Sequence, residues 1–466
     1  MLVLYIMDVE EPNSIVIKTL ISKHKSKREK MITRYKRYTL EDVPIFKREF
    51  LNKDKVNNKI NTDFTGDIIN QKVGYVLGNP IMYGFDRKSK NYKISNDILS
   101  DFLDINNAKD ADSEWAKMAS ICGYASRLFY IEKNTGNLRF VNIKPWETIF
   151  ITQNGIDTKQ ALRYYEVLKI EDDKEVSRKK AEWYTDREIL FFEEEKNGNF
   201  KLTNRVEHLL KHVPLIILKN NDELNSDVEG VIEKIDDYDR GTSDLSSEIE
   251  QIRLAYLVLD GVEMSPETAK SIQQTGMIKL PSNPNGGNTG QRVYYITKQL
   301  DDKAIENHLK RTEEDIYMVT GAINTKDENI GSNVTGPAMK HRLQKLENKC
   351  TNFENKMRTA LKEQFKIVVA YWNTLGETLN PSHVIVEFKR KFPFNLVEEA
   401  DAASKLVGIV SNRTLLGALS IVDDPDWEIE QIRKESEERD KHLTTSYNFP
   451  TDTSITKKNG LEDNGE

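Results

Sequence analysis

VEGVIEKIDDYDRGTSDLSSEIEQIRLAY, residues 228–256, carries apolar side chains at Val228, Val231, Ile235, Tyr238, Leu245, Ile249, Ile252 and Tyr256. The steps are three, four or their sum, the period of one helix face, and acids fill the positions between. One long acidic helix is predicted. A short insert follows it: LAYLVLDGV (254–262), a helical SPETAKSIQQTG (265–276), and MIKLPSNPNGGNTGQRVYYI (277–296), where a Pro, Asn and Gly cluster marks a loop between two strands. A second helix then sets Ile305, Leu309, Thr312, Ile316 and Val319 at alternating steps of four and three and ends at Gly321. GAINTKDENIGSNVTG (321–336) is polar and turn-rich and reads as a loop. Beyond it Met339, Leu343, Leu346, Cys350, Phe353, Met357, Leu361, Phe365, Val368, Trp372 and Leu375 predict a helix of about 40 residues, about 60 Å long. Its extra step of four at Met357 to Leu361 and its aromatics favour packing inside a fold over a free coiled coil.

Upstream, Ile15 to Tyr38 holds nine Lys and Arg among sparse apolar residues and reads as an exposed basic helix, the alternative being no more than a solvated face. Ile60, Phe64, Ile68 and Val73 are spaced for a helix that Gly74, Gly78 and Pro80 end. Helical patterns cover 97–107 and 113–126, and RLFYIEKNTGNLRFVNIKP (127–145) is a hairpin turning at Asn134 to Gly136. Short strands at 161–168, 180–184 and 189–192 and the segment HVPLIILKNN (212–221) complete an α+β region. Downstream, VIVEFKRKFPF (384–394) alternates as a strand, 398–410 and 415–419 look helical, and the tail beyond Glu438 looks disordered.

The totals bound the chemistry. The hydrophobic fraction of 38% supports real cores, while 31% charged residues imply a large solvated surface and an elongated molecule. A net charge of −7, from 68 basic and 75 acidic residues, argues against a protein that coats DNA through its phosphates. Cys122 and Cys350 lie too far apart in sequence to suggest a zinc ribbon or disulfide framework, and no apolar run reaches the length of a bilayer span. The sequence lacks a phosphate loop ending in Gly-Lys-Ser/Thr, and Gly286, Gly287 and Gly290 have no following lysine. His208 and His212 are spaced i, i+4 without the glutamate or third ligand of a zinc site and read as surface histidines. The acids of DDYD (236–239) read as a solvated helix face, so no enzyme, cofactor or metal is expected.

The order of segments resembles the siphophage portal family, the portal proteins of tailed double-stranded-DNA bacteriophages. The resemblance is carried by INTDFTGDIINQKVGYVLGNPI (60–81), FVNIKPWETIF (140–150), VPLIILKNN (213–221), SDVEGVIEKIDDYDRGTSDLSSEIE (226–250), LAYLVLDG (254–261), NIGSNVTGPAMKHRLQKLENK (329–349) and GIVSNRTLL (408–416). It covers roughly residues 45 to 435, and its specificity lies in the order of the segments. The resemblance implies an α+β, mainly helical portal-type fold, a twelve-fold cyclic homo-oligomer around a central channel for double-stranded DNA. The implied organisation is a basic N-terminal segment (1–45), a wing (46–225, with a strand in 377–395), a first stem helix (226–253), a clip (254–300), a second stem helix (301–320), a tunnel loop (321–336), a long helix (337–376), a crown (396–438) and a disordered tail (439–466).

Implied partners are the terminase large subunit, scaffolding and major capsid proteins and a head-completion adaptor, with no membrane. The protein would be a virion component at the capsid portal vertex, assembled in the host cytoplasm. Asn324, Thr325, Lys326, Asp327, Glu328 and Asn329 would face DNA in the loop. Glu233, Asp237, Glu248, Lys303, Lys310, Arg311 and Lys340 would line the channel, and Glu267, Lys270, Asn285, Asn288 and Arg292 would dock terminase or an adaptor. Acidic walls suit a channel that must centre a duplex without gripping it, and Asp227, Glu229, Asp236, Asp239, Asp244 and Glu250 add to that character. Interleaved acids and bases on helices also form simple i, i+4 pairs, and the sequence leaves open which charges face a bore. The competing functions are a head-tail adaptor or scaffolding protein, which length and the inserted hairpin disfavour, and a DNA-processing enzyme, which would need a metal-binding acid cluster or a phosphate loop.

Overall fold

A computed structural model describes residues 4–7, 9, 11–51, 55–86, 92–153, 157–171, 174–252, 256–260, 292–296, 302–326, 336–390, 396–419, 421–422 and 425–446. They divide into two compact units, Met1–Lys391 and Phe392–Glu466. In the first, β1 (Leu4–Ile6) precedes α1 (Ser14–Tyr38), whose N-terminus is capped by the Asn13 side chain accepting from the Ile15 and Val16 amides. This basic helix is solvated on one face only, where Lys18, Lys23, Lys25, Lys30 and Lys36 are exposed. Ile17, Leu20, His24 and Met31 recur on the other and are buried, so the sparse apolar residues suffice to seat it on the sheet described next.

Next come α2 (Phe64–Leu77), β2 (Met82–Phe85), α3 (Tyr92–Ile105) and α4 (Ala108–Cys122). α2 runs through Gly74, which does not end it, because an isolated glycine in a helix costs only about 1 kcal/mol. α4 stops four residues short of the predicted Ser126. Gly123 there takes a φ of +96°, and a Cβ would lie 2.0 Å from the Leu224 carbonyl oxygen, so the chain turns sharply into a strand. β3 (Tyr124–Ile131) and β4 (Leu138–Ile143) form the expected hairpin, with Gly136 at φ +72° in its turn. β5 (Thr148–Thr152), β6 (Gln160–Glu171), β7 (Lys174–Tyr184), β8 (Glu188–Glu194), β9 (Phe200–Glu207) and β10 (Leu215–Lys219) follow. A six-stranded sheet runs β1-β5-β6-β7-β8-β9, parallel only between β1 and β5, and a three-stranded sheet runs β10-β3-β4. α1 lies across the larger sheet, with Ile17 and Leu20 against Ile149, Leu162 and Trp183, and Met31 against Ile69, Ile121 and Phe150.

The chain then forms α5 (Ile232–Ile252), the pair β11 (Tyr256–Asp260) and β12 (Arg292–Ile296), α6 (Asp302–Thr320), the 39-residue α7 (Gly336–Thr374) and β13 (Val384–Glu387). The predicted strand at 384–394 is four residues long and pairs antiparallel with β2. α7 is buried along Leu343, Leu346, Cys350, Phe353, Met357, Leu361, Phe365, Val368 and Trp372. Rings of other elements meet that stripe, Tyr83 on Phe365 and Phe102 on Trp372, so α7 is an internal strut and not a free coiled coil.

The second unit contains α8 (Leu396–Leu406), α9 (Asn412–Gly417) and α10 (Pro425–Ser446). Helix continues past Glu438, where disorder was expected. Ion pairs at i, i+4 support it: Arg433 with Glu437, Lys434 with Glu430 and Arg439 with Glu435. Residues 447–466 lie outside the described residues.

Candidate functional site

α5 and α6 lie side by side. Lys234 pairs with Asp315 at 2.5 Å, Asp237 takes His308 Nε2 at 3.0 Å, and a Cβ on Gly241 would sit 3.0 Å from Leu309 Cδ2. Rising numbers on α5 meet falling numbers on α6, so the two run antiparallel. Ile235 and Ile316 close their base in a core shared with Phe64, Ile68, Val228 and Val231.

Most of the acids at and before α5 face cations of the same chain. Asp227 is buried between Lys72 at 2.9 Å and Lys349 at 3.2 Å; burial alone would raise its carboxyl, and the two ammonium groups hold it down at about 2. Glu229 receives Lys30 at 2.5 Å and Arg34 at 2.6 Å, Asp236 receives Arg37, and Asp244 receives Arg48 at 2.6 Å. Three basic residues of α1, Lys30, Arg34 and Arg37, are therefore the counter-charges of Glu229 and Asp236, which corrects the reading of that helix as wholly exposed. Arg34 and Arg37 are themselves buried, as desolvated arginines are when paired.

An extended segment is laced onto the same helix. The amides of Thr62, Ile60 and Asn58 donate to Asp239 Oδ1 (2.9 Å), Ser243 Oγ (2.9 Å) and Ser247 Oγ (3.0 Å). The match is geometric: four helical residues rise about 6 Å and two extended residues span about 6.6 Å, so every second amide meets every fourth side chain. Asn58 Nδ2 adds a bond to Glu250 at 2.9 Å. Asp239, Ser243 and Ser247 are buried beneath this strap, and burial pushes the Asp239 carboxyl up to about 6.

α6 ends at Gly321, whose φ of +76° turns the chain into the polar loop. Lys349 on α7 donates to the Thr320 carbonyl at 3.3 Å and to the Asp227 carbonyl at 3.4 Å, bridging the end of α6 and the approach to α5. Two residues on, Gln71 of α2 makes both backbone bonds of Ile323: Oε1 accepts from the amide at 2.8 Å and Nε2 donates to the carbonyl at 2.9 Å. Glu313 then receives Asn324 Nδ2 and Lys326 Nζ, each at 3.3 Å.

The expected site residues fall into three groups. Asn324 and Lys326 are held at the root of the loop and Thr325 lies exposed between them, while Asp327, Glu328 and Asn329 lie outside the described residues. Glu233, Lys303, Lys310 and Arg311 are exposed on the helix pair, Asp237 sits between Arg240 and His308, and Glu248 is half-buried on α5. Lys340 is in the first turns of α7 and Arg292 opens β12 opposite Asp260, while Glu267, Lys270, Asn285 and Asn288 lie outside the described residues. Sequence reasoning missed Glu313, and Gln71, Lys72 and Lys349 appeared only within quoted segments. His208 engages the Thr185 carbonyl at 3.1 Å, and the described residues contain no metal-holding cluster of His, Cys, Asp and Glu. No helix among them is long and apolar enough to cross a membrane.

The sequence profile of the family described as phage portal protein, SPP1 Gp6-like, matches residues 17–442. It reaches into α1, further toward the N-terminus than the resemblance read from motifs. The portal protein of Bacillus phage SPP1 is 25% identical over 462 residues, spanning 92% of this chain and 87% of that protein. The portal protein of Clostridium phage phiCD119 is 26% identical over 411 residues, spanning 84% and 88%.

Proposed function

The chain belongs to the SPP1 Gp6-like phage portal proteins, and from that premise we propose how it performs a portal's function. Twelve copies close into a ring at the capsid vertex, and double-stranded DNA passes through its channel during packaging and ejection. α5 and α6 form the stem beside the bore, and the loop 321–336 narrows it. Residues 46–225 and 377–395 make the wing, 254–300 the clip that docks terminase and the head-completion adaptor, and 396–438 the crown. Scaffolding and major capsid proteins meet the ring during head assembly in the host cytoplasm.

One observation carries the reading: α6 delivers a polar loop from a root fixed to the body, and the loop leads directly into the buried strut α7. A loop so mounted can touch a passing duplex while the ring keeps its shape. Exposed apolar side chains on the helix pair, Ile249 at 50%, Met318 at 61% and Val319 at 46%, support lateral packing of one copy against the next. With most acids internally paired, the bore-facing charge comes down to a few residues, Glu233, Lys303, Lys310 and Arg311 among them, which suits sliding over gripping.

Electron microscopy of the purified protein is expected to show rings with a central hole; a monomer that clamps or cleaves DNA overturns the reading. Deleting Asn324 to Asn333 should leave rings intact and impair packaging, and normal packaging by that variant refutes the loop's role.

A further inference from the structure

Gln71 is the one side chain in the described residues seen to satisfy both backbone groups of a residue in the loop 321–336. Its carboxamide stands in for a peptide group, pairing with Ile323 as a neighbouring strand would. The orientation of that amide is fixed from behind. Nε2 also donates to Asp67 Oδ2 at 2.9 Å, and the same oxygen accepts the Tyr317 hydroxyl at 3.0 Å, so Oε1 must be the atom turned to the Ile323 amide. A relay therefore runs from α6 through two residues of α2 to the loop root. α2 is also tied at its next residue to the approach to α5, through Lys72 and Asp227, and one turn on to α7, where the Tyr75 hydroxyl donates to Glu347 at 2.6 Å.

We propose that Gln71 is a positioning residue of the channel loop: it clips Ile323 to α2, so that the loop leaves the body from a root fixed beyond Gly321. This rests on the reading of 321–336 as the loop that meets DNA. Because the clip grips backbone, it is indifferent to the side chain at 323, and its point of attachment moves only if α2 moves with α5 and α7. Glu313 completes the anchorage by holding Asn324 and Lys326, leaving two successive restraints within four residues.

Three variants separate the clip from general packing: Gln71→Ala removes both bonds, Gln71→Glu keeps the size but sets a carboxylate oxygen against the Ile323 carbonyl and Asp67, and Ile323→Ala spares the backbone bonds. Hydrogen exchange of the assembled ring is expected to show the Ile323 amide exchanging about tenfold faster in both Gln71 variants and at the parental rate in Ile323→Ala. Rings should form in all three, and DNA packaged per capsid should fall in the Gln71 variants alone. An Ile323 amide equally slow in Gln71→Ala and Gln71→Glu overturns the clip. Fast exchange with full packaging overturns its role in positioning. Normal packaging by the Asn324 to Asn333 deletion, with exchange still governed by Gln71, refutes the loop's contact with DNA instead.

Discussion

Arg127 has no exposed surface, and every direction around its guanidinium is occupied. Nη1 donates to Asp112 and Gln364 at 2.8 Å each, Nη2 to the Ala111 carbonyl at 3.0 Å, and the rings of Trp115 and Phe140 lie 4.1 and 4.2 Å away. Arg127→Met keeps much of the volume but strips the buried Asp112 of its cation, leaving it the Tyr83 hydroxyl, a change that costs about 3–5 kcal/mol. Urea unfolding should show a loss of that size, and a loss below about 1 kcal/mol would mean that Asp112 escapes to solvent. Asp227 and Asp239 titrate with opposite consequences. Asp227, held at about 2, contributes stability above the ordinary carboxylate range that is lost as pH falls toward 2. Asp239, raised to about 6, favours the fold when protonated, so its contribution is lost as pH rises from about 4 to 6. Asp239→Asn keeps an acceptor for the Thr62 amide and should remove that decline, flattening stability between pH 4 and 6 relative to the parent; an unchanged slope would assign the decline elsewhere. The roles of Asp227 and Asp239 were not legible in sequence, because Lys72 with Asp227 and Thr62 with Asp239 are pairs more than 150 residues apart with no local pattern to announce them.

At the scale of elements, legibility followed burial on one face. α7 was readable because it buries its apolar stripe against the body, and the stripe is what periodicity records, whereas α5 and α6 were readable as helices although Ile249 and Val319 of their stripes are exposed. β9 was missed because nearly all of its residues are exposed, so it lacks the alternation that marks a half-buried strand, and β1 is only three residues long. α1 was readable as a helix but not as a buried one: its Arg34 and Arg37 look like solvated charges until their partners on α5 and its approach are in place. The strap at 58–62 left no signal at all, since its bonds join backbone to serines spaced for a helix face. Ser243 Oγ accepts the Ile60 amide and donates to the Ile60 carbonyl at 3.2 Å, and Ser247 Oγ accepts the Asn58 amide. Ser243→Ala leaves a part-buried amide unpaired and should cost about 1–2 kcal/mol, with Ser247→Ala at the lower end. Urea midpoints for the two single variants and the double check this, and a double variant as stable as the parent would mean that the strap is not held by these hydroxyls.

For the whole molecule, the internal pairing of α1 and Arg48 with α5 and its approach changes what the net charge of −7 does. If the acids of α5 were free, a ring would repel duplex DNA along the full stem. With Glu229, Asp236 and Asp244 matched by Lys30, Arg34, Arg37 and Arg48, the proposed stem would repel duplex DNA only weakly, and these four cations, engaged inside the subunit, would add little attraction. Exposed cations remain at Lys303, Lys310 and Arg311, interspersed with exposed Glu306 and Glu314. Few phosphates can then be neutralised at once, so the affinity is weak from the outset and its dependence on salt is shallow. Assembled rings should therefore fail to retain linear duplex DNA at about 0.15 M salt, where charges more than about 8 Å apart are screened. Gel-shift or co-sedimentation across a salt series checks this. Retention that survives that salt would show a phosphate-binding surface that the pairing of α1 with α5 leaves no room for. Reversing Arg34 and Arg37 to glutamate should break the pairing, destabilise the subunit and expose its acids, whereas Lys310→Glu should touch only the weak attraction that remains.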